Sequence, residues 1–89
     1  MPTVSVPPPY RGPTRGEGTI RVEGASVLEC LEAVEARYPG FREHVLAADG
    51  TPHEFVRLFV NGEQIEPGAL DTPVAENDEV GVLAAIAGG

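Results

Sequence analysis

Glu54-Phe55-Val56-Arg57-Leu58-Phe59-Val60-Asn61-Gly62-Glu63-Gln64-Ile65 is the stretch on which the reading of the fold turns. Val56, Leu58 and Val60 alternate with Phe55, Arg57 and Phe59, so one face of a strand is aliphatic and the other is mixed aromatic and charged. Asn61-Gly62 follows at once, the dipeptide that accepts positive φ at both central positions of a two-residue hairpin turn. Glu63-Gln64-Ile65 is therefore expected to turn back as a short partner strand.

Upstream, Thr3-Val4-Ser5-Val6 and Thr19-Ile20-Arg21-Val22-Glu23 both alternate, and the stretch between them holds Pro7-Pro8-Pro9 and Tyr10-Arg11. Two strands joined by a stiff, wide loop account for this better than a proline-rich ligand for an aromatic groove. Gly24 ends the second strand. Ser26-Val27-Leu28-Glu29 then has the form of a capping box, with Ser26 as N-cap and Glu29 reaching back. Val27, Leu28, Leu31, Val34 and Tyr38 recur at helical spacing until Pro39-Gly40 stops the run, and Phe41, Val45 and Leu46 suggest a second helical turn. Glu29, Glu32 and Glu35 fall on or near the polar side of the main helix, where a solvated face is the expected reading.

Downstream, Pro67-Gly68 and Asp71-Thr72-Pro73 read as turns before the last strand, Glu79-Val80-Gly81-Val82-Leu83. After Leu83 the side chains shrink to Ala84-Ala85-Ile86-Ala87-Gly88-Gly89, and the alternation stops. The sheet is expected to end near Leu83, giving a body over 1–83 and a flexible tail over 84–89 that could extend about 20 Å at roughly 3.3–3.6 Å per residue. Two glycines without Cβ beside a terminal carboxylate could thread a channel closed to other residues. The order strand, strand, helix, strand, short strand, strand makes an α+β structure of the β-grasp kind, a mixed sheet of four to five strands under one main crossover helix.

A chain of 89 residues has room for one domain, and 42% hydrophobic against 22% charged residues is a globular composition in spite of its 11 Gly and 9 Pro. The net charge of -8 comes from 14 acidic residues against six arginines, with no lysine. Such a surface repels phosphate backbones and anionic lipid, which argues against nucleic acid and membrane and favours a basic protein surface as partner. The single Cys30 excludes an internal disulfide and reads as a small buried hydrophobe. His44 and His53 lack a third ligand at metal spacing, so no metal site is expected. Without a signal peptide or a long apolar run, a cytoplasmic protein is expected.

Together, Phe55-Val56-Arg57-Leu58-Phe59-Val60-Asn61-Gly62-Glu63, Asp71-Thr72-Pro73-Val74, Asp78-Glu79-Val80 and the final Ala87-Gly88-Gly89 resemble the ubiquitin-like bacterial sulfur carriers. That family includes the molybdopterin synthase small subunit and the thiazole-pathway carrier. Length, the proline-bearing first loop and the small apolar run before Ala87-Gly88-Gly89 look most like the carrier of an actinobacterial cysteine-biosynthesis route. The resemblance implies that a ubiquitin-activating-type enzyme adenylates the Gly89 carboxylate and that sulfur then replaces AMP. The resulting thiocarboxylate would serve a sulfur-acceptor synthase in a cysteine, molybdopterin, thiamin or natural-product pathway. It also implies a carrier and not an enzyme, with no catalytic residue and no cofactor of its own, since ATP and Mg belong to the activating partner. Ala84, Ala85, Ile86, Ala87 and Gly88 would be recognised in the partner's channel. A lysine-conjugated protein modifier and a non-covalent regulatory subunit that inserts its tail share the same motif and stand as alternatives.

Pleat parity supplies a docking face. With Leu58, Val60, Val80 and Val82 turned to the helix, Phe59 and Leu83 stand on the open side of the sheet, with Phe55 and Arg57 at the edge of that patch. A small acidic domain that hands its tail to partners is expected to be a monomer when free.

Overall fold

The computed structural model describes residues 1–85. Strands β1 (Thr3–Ser5), β2 (Thr19–Arg21), β3 (Val56–Val60), β4 (Glu63–Gln64) and β5 (Glu79–Ala84) form one sheet in the order β2-β1-β5-β3-β4. β1 and β5 run parallel, and the other pairs are antiparallel. Helices α1 (Val27–Arg37) and α2 (Phe41–Val45) fall between β2 and β3, and their apolar residues pack into the same core as the sheet's buried valines. This is the α+β, β-grasp arrangement expected from the order of elements.

Local chemistry sets each boundary. Asn61 and Gly62 both have positive φ, 50° and 84°, and Val60 pairs with Glu63 across them, as a two-residue hairpin requires. The Asn61 side chain then ties this turn to the start of β5. Its Nδ2 donates to Asp78 Oδ1 at 2.9 Å, and its Oδ1 accepts from the Glu79 N–H at 2.9 Å. Asp78 also accepts from the Ala75 N–H at 2.8 Å. The bond from Asn61, and after it that from Ala75, holds the Asp78 carboxyl below the usual carboxylate range.

The first three N–H groups of α1 itself are satisfied. Ser26 Oγ accepts from the Glu29 N–H at 3.2 Å, and Glu29 Oε1 accepts from the Ala25 N–H at 3.0 Å, one residue before the position the capping box assigns. The carbonyls of Thr72 and Leu70 take the Val27 and Leu28 N–H groups at 3.1 and 2.9 Å. The segment around Asp71-Thr72-Pro73-Val74 is thus a backbone clasp on the helix, and Val74 closes it by donating to Ala25 at 3.0 Å.

Two readings change on contact with the structure, and the reading of the first loop gains a buried side chain. Glu35 is no solvated acid: its carboxylate accepts from Gly40 N–H at 3.1 Å and Arg42 N–H at 2.7 Å. Gly40, at φ 104°, begins α2 with no side chain to cap it, so the preceding helix supplies the cap from five and seven residues away in sequence. Cys30 is fully buried with Val27, Leu31 and Val34, whereas Leu28 and Tyr38 are only partly so. The buried stripe therefore falls at every third or fourth residue and is rotated from the expected face. Tyr10, in a 3-10 turn over Pro8–Tyr10, is buried in the core, and Arg11 Nε donates to the Val6 carbonyl at 2.9 Å. The proline-rich loop plugs one end of the core and does not present its aromatic to a groove.

Loss of the α2 cap is measurable. Glu35→Ala should lower stability by about 0.5–2 kcal/mol, the range for removing a capping side chain. Glu32→Ala, an exposed neighbour on the same helix, should stay within about 0.5 kcal/mol. Urea unfolding of the two variants beside the parent chain gives the comparison, and equal losses would show that Glu35 is no cap.

Candidate functional site

β5 links the centre of the sheet to the C-terminal run, so its two faces decide what the site looks like. Val80 and Val82 point inward, 0% and 1% exposed, and are packed with Leu58 and Val56 from β3. Glu79, Gly81 and Leu83 therefore face the open side, where Phe59 stands opposite Gly81 and Arg57 opposite Leu83. Phe55 and Leu83 are each 51% exposed, Arg57 is exposed and Phe59 is half-buried. The four residues expected to form a docking patch do share one face: Phe55, Arg57 and Leu83 lie at the end of the sheet from which the C-terminal run departs, and Phe59, opposite Gly81, lies farther back along β5.

Two of them are held by contacts that the sequence did not announce. The Phe55 ring stacks on His53 with centroids 5.7 Å apart and planes 4° from parallel. His53 Nε2 in turn donates to the Glu43 carbonyl at 2.8 Å, since a carbonyl can only accept. An exposed aromatic is thereby fixed in orientation by a side chain whose only sequence signal was its position two residues away. The Arg57 guanidinium folds back, donating through Nη1 to the Glu54 and Val56 carbonyls at 2.7 and 3.1 Å.

The strand runs one residue beyond the Leu83 boundary expected from side-chain size. Ala84 pairs with Val56, and the Ala85 N–H donates to the Phe55 carbonyl at 2.6 Å. Ladder bonds use only the backbone, so the ladder continues as long as β3 offers partners, whatever the side chains. Four residues follow Ala85, for which a fully extended chain covers about 13–14 Å, less than the reach expected from a boundary at Leu83. Ile86, Ala87, Gly88 and Gly89, expected as tail and reactive terminus, lie outside the described residues.

Elsewhere the chemistry is structural. Burial first, and the neighbouring Glu29 charge second, push the Cys30 thiol above its ordinary pKa, away from thiolate reactivity. Among the described residues, no group of three or more His, Cys, Asp or Glu side chains could hold a metal, and no helix is long and apolar enough to cross a membrane.

A β-grasp sheet with a helix on one face, an open face on the other and a central last strand leading to the terminus defines a ubiquitin-like protein. The ThiS family model matches residues 15–89, and this chain belongs to the ThiS family. Sulfur carrier protein CysO of Mycobacterium tuberculosis is 34% identical over 90 residues, spanning 98% of this chain and 97% of that protein. A chain in the crystal structure of the Amycolatopsis orientalis BexX/CysO complex is similar with a TM-score of 0.90 and 36% identity, over 100% of both chains. SAMP1 from Haloferax volcanii, at 23% identity and a TM-score of 0.82 over 99% of this chain and 98% of its own, shares the fold. The resemblance drawn from the residues and these likenesses lead to the same group.

The assignment of faces can be checked by charge insertion. Phe59→Asp should cost less than about 2 kcal/mol and leave unfolding cooperative, because the side chain has solvent beside it. Leu58→Asp, one residue away and 3% exposed, puts an unpaired charge in the core and should cost more than about 4 kcal/mol or prevent folding. Far-UV circular dichroism during urea unfolding separates them, and the reverse ranking would invert the faces.

Proposed function

We infer that this protein is a ubiquitin-like sulfur carrier whose reactive group is the Gly89 carboxylate. The observation that carries this reading is the placement of β5. The strand that ends at Ala84, and after which the chain runs on through Ala85 to Ile86-Ala87-Gly88-Gly89, is the same strand that displays Leu83 beside Phe59 and Arg57. A partner that docks on the open face is then within an extended four-residue reach of the terminus.

The chemistry follows from what a carboxylate lacks. Its oxygen is a poor leaving group, so a Gly89 oxygen attacks the α-phosphorus of ATP in the activating enzyme, pyrophosphate departs, and the acyl carbon becomes bonded to AMP. A sulfur nucleophile then adds to that carbon and AMP leaves, giving the thiocarboxylate. Holding the tail in a channel converts each step from a chance encounter into a positioned one. Gly88 suits such a channel because it brings no Cβ to the partner's backbone. ATP, Mg and every catalytic side chain belong to the activating enzyme, and the chain is a cytoplasmic carrier rather than a catalyst.

Sulfur delivery to an acceptor synthase fits the likeness to a chain of the BexX/CysO complex, and the likeness to CysO favours cysteine biosynthesis among the family's pathways. The acidic surface, -8 overall, favours partners with basic docking surfaces and fast, salt-sensitive encounter.

The tail argument predicts a separation of effects. Gly88→Val should reduce ATP–pyrophosphate exchange by a ubiquitin-activating-type enzyme at least about 100-fold, the scale of loss expected when a reacting group is displaced by about 1 Å. Its thermal unfolding midpoint should match the parent's. Exchange at the parent rate would refute the narrow channel.

A further inference from the structure

Gly81 is in the middle of the central strand for no reason of conformation or crowding. Its φ is not positive, and a Cβ built there would lie 3.4 Å from the Phe59 Cβ, an ordinary contact. Glycine in a strand interior is destabilising relative to alanine. Where neither backbone nor packing requires it, such a glycine marks a place that something else approaches closely.

The space it leaves is a groove of about 280 Å³ on the open face. Gly81 is the floor, Phe59 and Leu83 are apolar flanks, Ser5 offers a hydroxyl on the β1 side, and Glu79 stands two residues along the strand. Glu79 is exposed, and among the described residues no arginine lies within ion-pair distance of its carboxylate. The two arginines on this face are otherwise placed. Arg57 donates to backbone carbonyls at the far end, and Arg21 pairs with Thr3, which itself separates it from Glu79 by a strand.

Apolar flanks with a carboxylate at one end match a side chain that carries a long aliphatic stem and a cationic head. We propose that the Gly81 notch is a socket for an arginine or lysine side chain of a partner protein, its stem lying on Gly81 between Phe59 and Leu83 and its head against Glu79. The proposal rests on the reading of the open face as the docking surface and assigns that face an anchor. A net charge of -8 draws basic partners generally, whereas the notch selects one side chain and fixes the register of the complex.

The test uses n-butylguanidinium chloride, stem and head without a partner, titrated into the isotope-labelled full chain at physiological ionic strength and followed by amide chemical shifts. Saturable shifts confined to Ser5, Phe59, Gly81 and Leu83 are expected. They should weaken roughly threefold in Glu79→Gln, the scale of an exposed ion pair, and vanish in Gly81→Val, which fills the groove. Glu79→Gln alters only a surface side chain and keeps the test decisive if Gly81→Val does not fold. Shifts spread over the acidic surface, or titrations unchanged in Glu79→Gln, would overturn the socket. Because no sulfur chemistry enters the titration, a negative result removes the socket and leaves the carrier reading standing. A chain that binds the probe but is never converted to a thiocarboxylate does the reverse.

Discussion

The pairing of β5 between β1 and β3 is the constraint from which the rest of the structure follows. It joins the first and last strands in parallel, β5 buries Val80 and Val82 at 0% and 1% exposure, and its outward residues form the middle of the open face. A parallel first-to-last pairing needs a crossover, and α1 with α2 covers the inner face of the sheet that this crossover creates. Because β5 is central, the residues leading to the terminus leave from the most firmly held strand in the sheet. The carrier function proposed above is served by that arrangement, since Ala84 and Ala85 are both held by backbone bonds to β3 and the residue before it.

The network around Asn61 sets where β5 begins. One side chain satisfies the Asp78 carboxylate and the Glu79 N–H while its own backbone makes the left-handed hairpin turn. The ionised form of Asp78 is favoured in the folded state, so this contribution is complete at neutral pH and is lost only as pH falls through the lowered pKa. Other acids follow the same plan: Glu29 and Glu35 are spent on backbone donors at helix starts. The arginines behave in parallel, with Arg11, Arg37 and Arg57 donating to carbonyls rather than to carboxylates. Much of the acidic charge is consequently left for partners.

What was legible in the sequence was the chemistry that acts over a few residues. Asn61-Gly62 specified its turn, Ser26 and Glu29 specified a helix start, and the valine alternation of β1, β3 and β5 specified which side was core. Contacts between elements were not legible. Glu35 caps a helix beyond the one it belongs to, His53 orients Phe55 through a bond to Glu43, and Tyr10 enters the core from a loop that the sequence read only as a stiff connection. Ala84 joined the ladder because its partner Val56 was available, and no property of alanine signals that. The shared face of Phe55, Arg57, Phe59 and Leu83 was readable because pleat parity is local, while the groove at Gly81 depended on which residue of β1 lay on the other side.

Intact-mass spectrometry of the chain after incubation with a ubiquitin-activating-type enzyme, ATP and a sulfide source bears most directly on the central claim. The account predicts the mass increase of sulfur replacing one oxygen in the full chain, and no change in a chain lacking Gly89. An unchanged mass in the full chain, or an amide-linked adduct to a lysine of another protein in its place, would contradict the assignment as a sulfur carrier.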